Sequence, residues 1–308
     1  MKNKKILVIG SSNTDMVIKT SRFPLPGETI IGGDFFMAMG GKGANQAVAA
    51  KRSGGEVSFV GKIGKDIFGQ RAVGYLKDEG INVNYVKTDP EKHSGIAVIT
   101  VNRTGENSII VAHSSNNSLS PSDIMDISEA IDSSEIILLQ LEIPLETVSF
   151  IAEYASKQNK TIILNPAPAA VLPNSLYKNI SIIIPNESET ELLTGISVKD
   201  ETSAMEAASI LVNKGVKTVI ITMGSRGAFV FSEKFTSLVS APKVNAIDTT
   251  GAGDTFCGAL SVKISESCNL KEAVLFANHA AAISVTRFGA QPSIPTKEEV
   301  LNFLKETH

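Results

Sequence analysis

Tryptophan is absent from the 308 residues of this sequence, and cysteine occurs only twice. Cys257 and Cys268 lack the Cys-x-x-Cys spacing of zinc and redox sites, and two cysteines cannot build a disulfide framework. The sequence also has no excess of basic residues, and its formal net charge is −3 at pH 7. The composition therefore argues against a structural zinc site, a small disulfide-bonded fold and a nucleic-acid partner.

Long apolar runs and a Walker A motif are also missing. No segment approaches ~18 uninterrupted apolar residues, so no membrane span is expected. The first apolar run, Ile6–Ile9, is too short for a signal peptide and predicts a strand. We therefore expect a soluble cytoplasmic protein. The pattern GxxxxGK[ST] occurs nowhere, so any use of ATP has to proceed without a Walker A loop.

Strand-length apolar runs alternate with helix-patterned stretches along most of the chain. Continuous apolar strands separated by helices are typical of a mostly parallel sheet that is covered on both faces. The sequence therefore predicts a three-layer α/β/α fold over residues 1–308. The predicted strands are Ile6–Ile9, Val57–Val60, Ile136–Leu139, Thr161–Leu164, 181–184 and Thr218–Thr222, and the predicted helices are 44–52, 69–79, Leu145–Ser156, 187–193 and 204–213.

Two insertions, about residues 14–38 and 93–113, break this alternation with short strands and turn signals but no helix. They predict a small antiparallel β-sheet that forms a lid over the carboxyl edge of the main sheet. An extension of the main sheet's edge is the alternative. Apolar residues such as Phe35, Phe36 and Ile110 would give the lid an exposed apolar face. A second copy of the chain is the simplest cover for that face, so we expect a homodimer through the lid.

The most informative segment is Asp248-Thr-Thr-Gly-Ala-Gly-Asp254, which lies between a predicted strand at 244–247 and a predicted helix at 255–264. The first N–H groups of a helix lack partners and the helix dipole favours negative charge there, so this turn can bind an anion. A carboxylate in such a turn, Asp254, makes sense if it accepts a proton from a hydroxyl while the N–H groups hold a phosphoryl group. The segment predicts phosphoryl transfer to an alcohol; an ordinary glycine-rich turn is the alternative.

Four further polar clusters follow predicted strands or begin predicted helices. They are Asn13-Thr-Asp15, Gly40-Gly-Lys-Gly-Ala-Asn-Gln46, Pro185-Asn-Glu-Ser-Glu189 and Thr222-Met-Gly-Ser-Arg-Gly227. In that order, they suit sugar hydroxyls, an anion or polyhydroxylated ligand, a magnesium-bound water and a nucleotide. The structural alternatives are, in the same order, an Asx turn, a tight turn with a solvated Lys42, a capping box and a hairpin turn. Ligands of open parallel sheets lie at the carboxyl ends of strands, so we expect these clusters and Glu142 to converge on one edge.

In this order, the segments resemble the signatures of the ribokinase/PfkB family of carbohydrate kinases, over essentially the whole chain. Residues 40–47 are similar to the family's first signature, residues 248–256 to its second, and residues 186–189 to its magnesium motif. Residues 164–169 and 289–293 resemble the ribokinase branch of the family. The resemblance implies ATP-dependent phosphorylation of ribose at its O5 hydroxyl.

The resemblance also implies roles for individual positions. Asp254 would be the catalytic base, and the N–H groups of Gly251, Ala252 and Gly253 would form the anion hole. The sugar would contact Asn13, Asp15, Gly41, Lys42, Asn45, Glu142 and Asp254. ATP would contact Asn186, Thr222, Gly224, Ser225, Gly227, Gly253 and Asn278. Glu189 would act on Mg²⁺ through water, and K⁺ would bind at Asp248, Thr250, Ser284, Arg287, Gly289 and Ser293.

Other activities remain open at this stage. A kinase for deoxyribose, another sugar or a nucleoside is the main alternative, and a sugar-binding sensor without catalysis is a second. The presence of both Asp254 and Glu189 favours an enzyme, because a binding protein would not require both.

Overall fold

The structure, a computed structural model, describes residues 4–307. Its strands are β1 Ile6–Ile9, β2 Asn13–Lys19, β3 Phe35–Gly40, β4 Val57–Val60, β5 Lys62–Gly64, β6 Lys87–Asp89, β7 Gly95–Val101, β8 Asn107–Ala112, β9 Ile136–Leu139, β10 Thr161–Leu164, β11 Ile182–Ile183, β12 Thr218–Thr222, β13 Ala228–Ser232 and β14 Thr236–Val239. Its helices are α1 Lys42–Arg52, α2 Ile67–Asp78, α3 Pro121–Met125, α4 Ser128–Asp132, α5 Leu145–Ser156, α6 Asn174–Tyr177, α7 Glu187–Thr194, α8 Glu201–Asn213, α9 Ala252–Ser265, α10 Leu270–Ser284 and α11 Lys297–Thr307.

The main sheet has the strand order β14-β13-β12-β11-β10-β9-β1-β4. The strands from β12 to β4 pair in parallel, and β13 and β14 add an antiparallel edge. Each predicted strand of the main sheet except 244–247 is present. Because parallel strands end at the same edge, the loops that follow β1, β9, β10, β11 and β12 meet there.

Both faces of the main sheet are buried under helices, as the continuous apolar strands predict. Successive side chains of a strand point to opposite faces. In β1, Leu7 and Ile9 pack in the core that includes α5 and α8. Ile6 and Val8 pack in the opposite core, with α1, α9 and α10. The three-layer α/β/α arrangement is therefore confirmed.

The lid is a separate four-stranded sheet with the order β3-β2-β7-β8. It is not an extension of the main sheet's edge. The two outer pairings, β3 with β2 and β7 with β8, are antiparallel as expected. The central pairing of β2 with β7 is parallel, with Asn13 opposite Gly95, because both strands leave the body of the protein in the same direction.

The predicted strand at 244–247 is wrong. This segment has no sheet partner among residues 4–307. The N–H groups of Ile247 and Asp248 instead both donate to the carbonyl of Val285, beyond the end of α10, at 2.7 and 3.2 Å. Apolar residues here misled the prediction, because Ile247 is exposed. Four helices also begin two or three residues earlier than predicted: α1 at Lys42, α2 at Ile67, α8 at Glu201 and α9 at Ala252.

Within residues 4–307, no helix combines the length and apolarity that a membrane crossing requires. The cytoplasmic location stays a prediction.

Candidate active site

A cavity of about 180 Å³ lies at the carboxyl edge of the main sheet. It is bounded by the ends of β10, β11 and β12 and by the N-termini of α1, α7 and α9. The residues that line it are Lys42, Asn165, Ala167, Ile184, Asn186, Glu189, Thr222, Thr249, Gly251, Ala252, Gly253, Asp254 and Cys257. Four of the five predicted clusters, from distant parts of the sequence, therefore contribute residues to one wall.

Asp254 lies in the first turn of α9 and is only 5% exposed. Asn45 donates to its Oδ2 at 2.9 Å and Gln46 donates to its Oδ1 at 3.0 Å. Burial raises the pKa of Asp254, and the positive charge of Lys42 and these two hydrogen bonds oppose the rise. Asp254 in turn raises the pKa of Lys42, so the lysine stays protonated. A carboxylate that is placed beside a buried ammonium group is suited to accept a proton from a hydroxyl.

The turn before Asp254 has the geometry of an anion site. Gly251 is the N-cap of α9, with a φ of 75° that favours glycine, and no side chain caps the helix. The N–H of Ala252 makes a long bond of 3.3 Å to Thr249, and that of Gly253 has no partner among residues 4–307. A Cβ at Gly253 would meet no atom within 4 Å, so the glycine leaves space beside the cavity wall.

The glycines of residues 40–43 make close contacts that a side chain would block. A Cβ at Gly43 would lie 2.6 Å from the backbone carbon of Gly10, and one at Gly40 would lie 2.3 Å from Asp15 Oδ2. Gly43 allows α1 to pack directly against the chain that leaves β1, and Gly40 leaves room for the Asp15 carboxylate. The tight packing directs Lys42 into the cavity, so the alternative of a solvated lysine is wrong.

The predicted sugar-binding residues lie together around the N-terminus of α1. Asn13 begins β2, instead of an Asx turn, and its Oδ1 accepts from Asn116 at 2.8 Å. Glu142 Oε2 accepts from the N–H of Lys42 at 3.0 Å. Burial, together with the charges of Glu142 and Asp254, raises the pKa of Asp15 to about 7. Three carboxyl groups and one lysine therefore share one electrostatic environment.

The predicted nucleotide-binding residues are only partly brought together. Asn186 and Glu189 form the capping box of α7 and also line the cavity. Glu189 Oε2 accepts from the N–H of Asn186 at 2.8 Å, and its pKa is raised by burial. Thr222 also lines the cavity. The turn that follows it, which carries Gly224, Ser225 and Gly227, joins the antiparallel strands β12 and β13 as a hairpin and lies outside the cavity wall.

Asn278 is also outside the cavity wall. It is buried on α10, and its Nδ2 donates to the carbonyl of Val239 at 2.8 Å. Contact of Asn278 with a nucleotide stays a prediction.

The predicted potassium-binding residues lie on two segments that Asp248 joins. Asp248 Oδ2 accepts from the N–H of Gly289 at 2.8 Å, and Oδ1 accepts from the N–H of Thr250 at 2.9 Å. Burial acts to raise the pKa of Asp248, but these bonds and the Thr250 hydroxyl lower it overall. The described part of the chain has no cluster of three or more His, Cys, Asp or Glu side chains that could hold a metal. A cation here would therefore depend on one carboxylate, hydroxyls and backbone carbonyls.

Several site residues were missed by the sequence reasoning. Cys257 lies one turn of α9 beyond Gly253, in the cavity wall, and burial raises its pKa well above the ordinary value. Ser11 donates to Glu142, and Gln46 donates both to Asp254 and to Asn165. The position of Gln46 and Asn165 inside the quoted signature segments was the only available signal.

The chain is similar to known proteins over nearly its whole length. The profile of the pfkB family carbohydrate kinases matches residues 3–297. A ribokinase of Haemophilus influenzae is 44% identical over 302 residues, which are 98% of this chain and 99% of that protein. A deoxyribokinase of Salmonella typhi is 40% identical over 304 residues, 97% of this chain and 98% of that protein. The structure of Arabidopsis thaliana ribokinase complexed with ribose and ATP has a TM-score of 0.93 at 33% identity, covering 98% of this chain and 99% of that chain.

Proposed function

Because this chain belongs to the pfkB family of carbohydrate kinases, we propose that it transfers the terminal phosphoryl group of ATP to the O5 hydroxyl of D-ribose. The products are D-ribose 5-phosphate and ADP. The observation that carries the proposal is the buried Asp254, which lies beside Lys42 at the start of a helix whose first N–H groups face a cavity.

The residues divide the chemistry between them. Asn13, Asp15 and Glu142 hold the sugar hydroxyls, so that O5 lies near Asp254. Asp254 accepts the O5 proton late in a loose transition state. Lys42 and the N–H groups of Gly251 to Gly253 stabilise the charge on the transferring phosphoryl group. Closure of the lid excludes water, which would otherwise compete as the acceptor.

Two cations fit the residues present. Glu189 has one oxygen, Oε1, without a hydrogen-bond partner among residues 4–307, and it lines the cavity, so it can hold a Mg²⁺-bound water. Bound magnesium would neutralise charge on the phosphates. We propose that K⁺ binds outside the reaction path, at Asp248 and Ser293 and at the carbonyls of Thr250, Ser284, Arg287 and Gly289. There it would fix the turn that leads to Gly251.

ADP release in the presence of different acceptors tests the proposed function. Ribose, 2-deoxyribose and adenosine should be compared, with and without K⁺, and we expect the highest kcat/KM for ribose with K⁺ present. The deoxyribokinase relative makes 2-deoxyribose the second candidate. A higher kcat/KM for 2-deoxyribose or adenosine would contradict the ribose assignment. Sugar binding without ADP release would indicate a sensor.

Sugar binding should depend on pH through Asp15. Sugar hydroxyls donate to the ionised carboxylate, so a protonated Asp15 has to lose its proton before it binds in this way. With a pKa of about 7, Asp15 should be almost fully ionised at pH 8, so the affinity for ribose should be near its maximum there. The affinity should fall as the pH drops below 7. The apparent Kd for ribose should be about 30-fold higher at pH 5.5 than at pH 8, measured by calorimetry. Asp15→Asn should bind more weakly at pH 8 and lose most of this dependence; an unchanged dependence would exclude Asp15 as its source.

Alanine at Gly253 should separate activity from stability. The added methyl meets no protein atom within 4 Å, and alanine is favoured over glycine in a helix, so Tm should not fall. The methyl would occupy space beside the anion hole, and kcat should therefore fall by at least about tenfold. Thermal unfolding and steady-state kinetics of the same preparation test this. Wild-type kcat would show that no reacting group passes close to Gly253.

We also propose that two copies pair through their lids. The lid has exposed apolar side chains that support this pairing. The two most exposed are Ile31, at 97%, and Ile110, at 71%. Sedimentation equilibrium at micromolar concentration should give a dimer. Ile110→Lys should weaken the dimer, because a charge would be buried in the contact. A monomeric wild-type protein would contradict the pairing.

A further inference from the structure

The carboxylate of Asp254 is held by two neighbouring amides of α1. Gln46 Nε2 donates to Oδ1 at 3.0 Å, and Asn45 Nδ2 donates to Oδ2 at 2.9 Å. Gln46 is completely buried. Hydrogen bonds to the ionised form of a carboxyl group stabilise that form, so both amides oppose the effect of burial on Asp254. Asn45 is a predicted sugar contact, whereas Gln46 has no role in the proposed reaction so far.

The orientation of the Gln46 amide is fixed by a backbone carbonyl. Asn165 Nδ2 donates to the carbonyl of Ile184 at 2.9 Å, and a carbonyl can only accept. Asn165 therefore presents Oδ1 to Gln46, which donates to it at 3.1 Å. Gln46 Nε2 uses one hydrogen for Asn165 and the other for Asp254. Its Oε1 accepts from Gln140 Nε2 at 2.6 Å.

The amide of Asn45, the second donor to Asp254, is also held by another side-chain amide. Asn45 Oδ1 accepts from Gln291 Nε2 at 3.0 Å. The outer oxygens, Gln140 Oε1 and Gln291 Oε1, are buried and have no hydrogen-bond partner in the described part of the chain. Buried polar atoms without partners reduce stability. This loss of stability is explained if the reaction requires Gln46 and Asn45 to donate to Asp254, because the outer amides of Gln140 and Gln291 hold them in that orientation.

We propose that Gln46 is a positioning residue, which keeps Asp254 ionised and orients its carboxylate towards the acceptor hydroxyl, with Asn165 and Gln140 fixing the Gln46 amide. The effect on turnover rests on the proposed function. The effect on the protonation of Asp254 does not, because the hydrogen bonds are present without substrate.

The test uses Gln46→Met, which keeps an unbranched side chain of similar length and removes the donor. The pKa of Asp254 should be measured in the sugar-free protein by ¹³C NMR of the carboxyl carbon, with Asp254→Asn assigning the resonance. We expect this pKa to rise by about one unit, as the loss of a hydrogen bond to a charged group predicts. The acid limb of the kcat profile should move to higher pH by the same amount, so that kcat falls by up to about tenfold along that limb. KM for ATP should change by less than about threefold.

Gln158→Met is the matched control, because Gln158 Nε2 also donates to a carboxylate, that of Asp132, at 2.8 Å, but away from the cavity. It should leave the Asp254 pKa unchanged. Gln46→Glu is a second variant of nearly the same shape that places acceptors opposite Asp254, and it should raise the pKa further. If Gln46→Met does not fold, Gln46→Glu decides the test.

An Asp254 pKa that stays at the wild-type value in a folded Gln46 variant overturns the proposal. A lower kcat with an unmoved acid limb also overturns it, since that result indicates only a packing role. The NMR titration requires no turnover. It therefore gives an answer even if the protein phosphorylates none of the sugars, and failure of the proposed function can be told apart from failure of this inference.

Discussion

Replacing Asp254 with asparagine is expected to lower kcat by at least about 10²-fold, within the range of about 10²–10⁴ for loss of a general base. An amide of nearly the same shape can still accept one hydrogen bond from Asn45 or Gln46, but it cannot take the O5 proton. Because Asp254 is buried beside Lys42, the lysine also loses the charge that raises its pKa most. The same residue therefore acts on the proton and on the charge around the transferring group.

Steady-state kinetics and ribose calorimetry on one preparation would measure this effect. The Kd for ribose should change little, because Asn13, Asp15 and Glu142 would still hold the hydroxyls. Asp126→Asn removes a carboxylate that is 66% exposed and pairs with Lys87 at the surface, so it should keep wild-type kcat. Near-normal turnover of Asp254→Asn would show that the base is another group.

Replacing Gly43 with alanine is expected to destabilise the protein and to reduce its activity as well. The new Cβ would lie 2.6 Å from the backbone carbon of Gly10 and 2.6 Å from the backbone nitrogen of Ser11. Backbone atoms in a buried strand end cannot move aside easily, so α1 has to shift. Overpacking of this kind lowers the free energy of unfolding by about 1–3 kcal/mol, and by more at rigid contacts. A shift of α1 would also displace Lys42, and kcat should fall with the stability.

Gly74→Ala provides a matched control, because Gly74 also lies inside a helix, α2, but its Cβ would meet no atom within 4 Å. The free energy of unfolding should rise there by up to about 1 kcal/mol, since alanine is the better helix former. Thermal or urea unfolding of both variants should therefore give shifts of opposite sign. Equal shifts would mean that the contact of Gly43 with Gly10 and Ser11, just after β1, is not a constraint on the fold.

The order of strands and helices could be read from the sequence because it depends on local periodicity. The continuous apolar runs of β1, β9 and β10 predict burial on both faces of a parallel sheet, and the structure confirms it. The same reasoning failed at residues 244–247. An apolar segment can be stabilised by contacts that have no periodic signal, and here the backbone bonds to Val285 instead of a strand.

Local pattern also could not separate cavity residues from their neighbours. Thr222 and Gly224 belong to the same predicted loop, yet only Thr222 lines the cavity. Asn278 matches a nucleotide position by resemblance and lies outside the cavity wall, where its amide donates to the carbonyl of Val239, so its contact with a nucleotide stays a prediction. Which side chain faces a ligand depends on the twist of the sheet and on how the helices pack. Residue spacing predicts neither of these.

The sequence by itself determined the fold class, the position of the lid insertions and the choice of Asp254 as the candidate base. Each of these follows from periodicity or from a signature in consecutive residues. Only the tertiary structure decided how that acid is held. Gln46, Asn165, Gln140 and Gln291 are far apart in the chain, and their amides meet around Asp254 only after α1 packs against β1 and α9. The hydrogen bonds of that group require distances of about 3 Å between side chains, and folding alone sets those distances. Their direction follows from the carbonyl of Ile184, which can only accept.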